Sequence, residues 1–141
     1  MAAVVGRSTR SLVIMQTEAP QPLSHEEAWE LGWGAFVQAL EVLAEDASER
    51  CRLMGNFNVA WELKHDVLAG ESLLNDPLSR ANSDQRHSLE ELFRELRELP
   101  GDAVNQPNTV AGNLKAMSHP SWASARSRAK AALEMLSKHD H

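Results

Sequence analysis

Leu89, Leu92, Phe93, Leu96 and Leu99 recur at intervals of three and four along NSDQRHSLEELFRELRELPG, a spacing that puts all five on one side of a helix. The opposite side carries Glu90, Glu91, Arg94, Glu95, Arg97 and Glu98, a solvated face in which Glu90 and Arg94 stand at the favourable i,i+4 offset. Asn82 supplies the N-cap with Gln85 three positions on, and Pro100-Gly101 ends the element. A second stripe, Trp29, Trp33, Phe36, Val37, Leu40 and Leu43, follows Ser24, which pairs with Glu27 as a capping box. Gly32 and Gly34 lower the helix propensity of that stripe by about 1 kcal/mol each. Two glycines beside two tryptophans predict another helix passing close by.

SERCRLMGNFNVAWELKHDVLAGESLLNDP, between these two, reads as one further helix with a break point at Gly55-Asn56. Leu53, Phe57, Ala60, Trp61, Val67 and Leu68 fall on a shared face with Lys64 at its edge, and Asn75-Asp76-Pro77 stops it. GDAVNQPNTVAGNLKAMSHP is the least regular stretch; Val110, Leu114 and Met117 suit two helical turns and the rest is loop. Pro120 fits a first helical position, with Ser118 or His119 as cap. Trp122, Ala125, Ala129, Ala132, Leu133 and Leu136 then line a final helix whose small residues let it lie close to its neighbours. The one β-like run is SLVIM, residues 11–15. The pattern predicts an all-α, single-domain bundle of four main helices with one or two short extra helices. It spans 24–137, between a disordered N-terminal tail over 1–23 and a C-terminal tail over 138–141.

With 141 residues and 43% hydrophobic content, the chain is long enough for one domain with its own core. No apolar run approaches a membrane span, so no membrane partner is expected. The first residues lack a continuous apolar core followed by a cleavage site; they read as a tail, or as lying ahead of a natural start at Met15. With Cys51 as the single cysteine, no internal disulfide forms, and a bacterial-type cytoplasmic protein is the expectation.

Charge changes the picture more. The net charge of −6 argues against a nucleic-acid partner. From Ser24 to Glu49 there are seven acids and no Lys or Arg, whereas the last helix carries Arg126, Arg128, Lys130 and Lys138. Either the first and last helices neutralise each other, or the acidic face meets a basic partner.

Candidate chemistry is thin. Glu62 and His65 form an E-x-x-H pair, but a di-metal carboxylate bundle needs two such pairs and two further glutamates, so neither a metal nor another cofactor is expected. Flanking Arg50 and Arg52 would favour a Cys51 thiolate if they faced the sulfur, yet no spacing ties that residue to a histidine, and a structural cysteine is the reading. Phosphate-cradling loops are missing, and none of the twenty acids is singled out as an acid–base pair. A helix-turn-helix would need a short turn before the last helix, where this chain has a long irregular one. The protein reads as a non-enzyme that works by contact.

Three segments carry a resemblance: GNFNVAWELKHDVLAG, LNDPLSRANSDQRHSLEELFRELRELP and MSHPSWASARSRAKAALEML. In layout, over residues 55 to 136, they resemble the small all-helical immunity proteins encoded beside bacterial polymorphic or contact-delivered toxins. The resemblance implies binding to a cognate toxin and occlusion of its active site. The expected contact surface is Glu30, Glu41, Glu45, Asp46 and Glu49 on the acidic side, joined by Asn105 and Asn108 from the irregular loop. The alternative is a regulatory adaptor for a cellular protein.

Overall fold

The computed structural model describes residues 21–138. Its helices are α1 (His25–Leu43), α2 (Ala47–Met54), α3 (Val59–Leu68), α4 (Gly70–Leu74), α5 (Ser83–Arg97), α6 (Val110–Met117) and α7 (Ser121–Lys138), with a 3-10 turn at Gly101–Ala103. Among the described residues there is no strand, and the fold is all-α. SLVIM, most of the expected N-terminal tail and the last three residues lie outside them. None of these helices is long and apolar enough to cross a membrane.

Both capping boxes form. Ser24 Oγ accepts from Glu27 N at 3.1 Å while Glu27 Oε1 accepts from Ser24 N at 2.9 Å, and Asn82 and Gln85 repeat the exchange at the head of α5. Glu27 is held below the usual carboxylate range, first by the Ser24 backbone N–H. The long helices bury the stripes their periodicity predicts: Trp29, Phe36, Leu40 and Leu43 on α1; Leu89, Leu92, Phe93 and Leu96 on α5; Trp122, Ala125, Ala129 and Ala132 on α7. Each fully buried large apolar side chain contributes about 1.5–3 kcal/mol. The alanine side of α7 lies against α5 and α1, and α3 and α4 cover the other flank of α1.

The middle of the chain departs from the expected four-helix plan. Where one helix was expected, the backbone makes α2, α3 and α4. Gly55 (φ 76°), Asn56 (57°) and Asn58 (43°) all take left-handed conformations, which end α2 and restart the helix in a new rotational phase. The predicted common face therefore does not exist. Val59, Ala60, Leu63 and Val67 are buried, whereas Leu53, Phe57 and Trp61 stand 47%, 61% and 47% exposed. Gly32 meets the predicted close neighbour, since an added Cβ would lie 3.2 Å from Leu73 on α4, but Gly34 faces open space.

Among the described residues, Arg50 is the one buried charged side chain. Its Nε donates to Leu43 O at 3.2 Å and its Nη1 to Met117 O at 3.3 Å, so one guanidinium serves the C-terminal carbonyls of both α1 and α6. The plane also lies over the Trp122 ring, 5.8 Å from its centroid. Burial, then the nearby Arg126, brings the Arg50 pKa down to about 10, against the opposing pull of Asp46, Cys51 and Glu45. Next to it the Cys51 thiol is buried and pushed above its ordinary value by desolvation, which outweighs Arg50. Cys51 should therefore react with a water-soluble disulfide reagent on the order of a hundredfold more slowly in the native protein than in denaturant. Equal rates would contradict the packing around α2.

Candidate functional site

Most acids on α1 and α2 are occupied within the fold. Arg80 Nη2 donates to Glu30 at 2.9 Å, stands 3.9 Å from Glu26, and its guanidinium lies over Trp29. Asp46 Oδ1 accepts from Glu49 N at 2.9 Å as the N-cap of α2, and Glu49 pairs with Arg52. Among the described side chains, the arginines of the last helix do not pair with the acids of α1. Arg128 pairs with Glu95 and Glu91 on α5, and Arg126 donates to the backbone of Ala44 at 3.0 Å.

Glu41 and Glu45 remain. Glu41 on the last turn of α1 and Glu45 just beyond its C-cap make no ion pair and no side-chain hydrogen bond among the described residues, as is also true of Glu62 and Asp66 on α3. Glu41, Glu45 and Asp66 rim a groove of about 820 Å³ between α1 on one side and α3 and α4 on the other. Its floor is apolar, with Phe36, Ala39 and Leu63, and Leu53 and Met54 close one end. Among the described residues no Lys or Arg lines it. The Asp66 carboxyl is raised above the ordinary aspartate value, chiefly by desolvation and then by Glu62, with His65 opposing. That is the response of an acid in a negative, partly apolar setting.

The groove exists because small residues stand at its base. A Cβ on Gly70 would lie 2.2 Å from the Phe36 ring, so glycine is what lets α4 approach α1 there. Ala35 and Ala69 are exposed on opposite walls and leave the upper part open. A second hollow, about 870 Å³ between α1, α5 and α7, differs in character: it already holds the cation Arg80, paired with Glu30. Glu41 borders both.

Of the expected contact residues, the fold gathers Glu41 and Glu45 at the groove. Glu30, Asp46 and Glu49 are committed elsewhere. Asn105 and Asn108 do not line it either. Asn105 is exposed beyond the 3-10 turn, while Asn108 Oδ1 accepts from Asn58 N at 2.8 Å and so helps fix the α2–α3 loop. The principal clamp on that loop is Asn113, which periodicity did not single out. Its side chain is 4% exposed, accepts from Val59 N at 3.0 Å and donates to Asn56 O at 2.8 Å and Thr109 O at 2.9 Å. Phe57 is thereby held outward. Four residues further on, in α3, Trp61 stacks on His65 with ring centroids 4.0 Å apart. His65 Nδ1 is engaged with Trp61 O at 2.8 Å, and among the described residues no group of three metal-ligating side chains converges.

The fold and groove define an all-α protein with an acid-rimmed apolar cleft. Comparison with protein-family models, curated proteins and solved structures finds no match to this chain.

Proposed function

We propose that this protein is a non-catalytic binding module, an immunity-type protein that blocks a basic bacterial toxin through its acidic helical surface. The observation that carries this reading is the selective pairing of charge. Arginines pair with Glu30 and Glu49, whereas Glu41, Glu45 and Asp66 around the apolar cleft make no ion pair among the described residues, Glu45 feeling Arg50 and Arg52 only through longer-range attraction. Carboxylates next to apolar surface attract a basic partner from a distance, and the apolar floor then supplies the area whose burial holds it. Removing water from such a rim is unfavourable unless cations arrive with the partner.

Affinity purification from the source cell with the tagged protein, at low and moderate salt, tests this. One stoichiometric basic partner is expected, held at least tenfold less tightly by Glu41→Lys/Glu45→Lys and unchanged by Glu98→Lys on the far charged face. Partner affinity indifferent to the double reversal would sink the reading. Rescue of cells from the captured partner separates immunity from an adaptor role on a cellular protein. Binding should also weaken as pH drops from 7 into the carboxylate range. An incoming cation stabilises ionised Asp66, so complex formation releases protons and is disfavoured once that carboxyl, already raised in the free protein, is protonated.

A further inference from the structure

The two walls of the groove are helical, with their interior backbone groups bonded within α1, α3 and α4, so they offer a guest no continuous N–H or C=O ladder. An extended segment buried there would leave its backbone unsatisfied, whereas a helix brings its hydrogen bonds with it. The α1 wall runs from Gly32 to Val42, about 15 Å at 1.5 Å per residue, the length of roughly three helical turns. Small residues on both walls, Ala35 and Ala69 above all, allow another helix to settle closely. Carboxylates stand on both rims, with Glu41 on α1 and Glu45 just past its end on one side and Asp66 on α3 on the other. A guest therefore meets negative charge on each flank of its apolar stripe.

We infer that the groove receives an amphipathic α-helix of the partner, about three turns long, with apolar residues at i, i+3, i+4 and i+7 and Lys or Arg on both sides of that stripe. The inference rests on the binding function proposed above and deepens it by naming the element the partner contributes. Leu53 and Met54 at one end and Leu73 at the other mark where its outer apolar side chains rest.

The probe is a labelled helical peptide of about fourteen residues with a leucine stripe flanked by lysines, titrated against the full chain by fluorescence anisotropy. Ala35→Phe/Ala69→Phe fills the groove without changing charge. Both alanines are exposed, and Ala35→Phe alone serves if the double variant does not fold. Expected results are saturable binding, weakened at least tenfold by groove filling and at least tenfold by Glu41→Gln/Glu45→Gln/Asp66→Asn, and none with a peptide bearing glutamates in place of the lysines. No binding, or equal binding to the filled variant, overturns the inference. Such a result leaves the broader function standing if Glu41→Lys/Glu45→Lys still releases the natural partner. A dimer in sedimentation that Ala35→Phe dissociates would give the groove to a second copy and also overturn it. So would a tenfold gain in peptide affinity on Arg7→Glu/Arg10→Glu, which would assign the groove to the chain's own N-terminal segment.

Discussion

Trp122→Ala should lower stability by about 3–5 kcal/mol, the range for truncating a buried tryptophan. Three losses coincide at this side chain. The indole, 1% exposed, fills the space at the start of α7. Its Nε1 donates to Ala103 O at 2.9 Å and ties down the 3-10 turn. It is also the surface on which the buried Arg50 guanidinium lies. Small domains are stable by only about 5–15 kcal/mol, so the variant sits near the threshold of folding. Thermal or urea unfolding followed by circular dichroism checks this, with a midpoint drop of about 15 °C expected. Trp122→Phe should fall between, because it keeps much of the apolar volume and leaves Ala103 O unpaired at about 1–3 kcal/mol. A midpoint within a few degrees of wild type for Trp122→Ala would mean that α7 is not anchored there.

Gly112→Ala should cost about 3 kcal/mol, combining overpacking with loss of a helix cap. The added Cβ would lie 2.0 Å from Pro107 O and 3.1 Å from Thr109 Oγ1. The first of these is backbone, so the turn from Pro107 to Thr109 must move. Thr109 caps α6 by accepting from Gly112 N at 2.9 Å, and Asn108 holds Asn58 N, so displacement reaches both the helix start and the α2–α3 loop. Gly34→Ala is the contrasting substitution. Nothing lies within 4 Å of its new Cβ, and the exposed α1 interior should gain about 0.5–1 kcal/mol. Denaturation midpoints measured side by side settle the pair. Similar small effects at both glycines would show that the 107–112 turn yields freely, against the geometry described.

The contrast between those glycines reflects how sequence pattern maps onto this fold. Long uninterrupted stripes were legible: α5 buries Leu89 through Leu96 as its spacing requires, and both boxes cap where Ser24 and Asn82 stand. GNFN defeated the same method. Periodicity assumes a continuous helix, and left-handed residues on either side of Phe57 reset the phase, so Leu53 and Phe57 do not share the face that Ala60 and Val67 bury. The clamp that fixes this shift, Asn113, is more than fifty residues away and gives no local signal. At the groove, the acids of α1 were legible as a group. Which of them stay uncompensated depends on Arg80, fifty residues downstream of Glu30. Asp66 joins them only because α3 turned after the break.

Glu41, Glu45 and Asp66 are exposed and make no ion pair and no side-chain hydrogen bond among the described residues. Surface positions of this kind usually change stability by no more than about 0.5 kcal/mol when replaced. The rim can therefore be rewritten, in sign, length or hydrogen-bonding capacity, while Arg50, Trp122 and Asn113 keep the scaffold intact. On the function proposed above, recognition and foldability are drawn from separate sets of residues, so the contact surface can change by single exposed substitutions without loss of the fold.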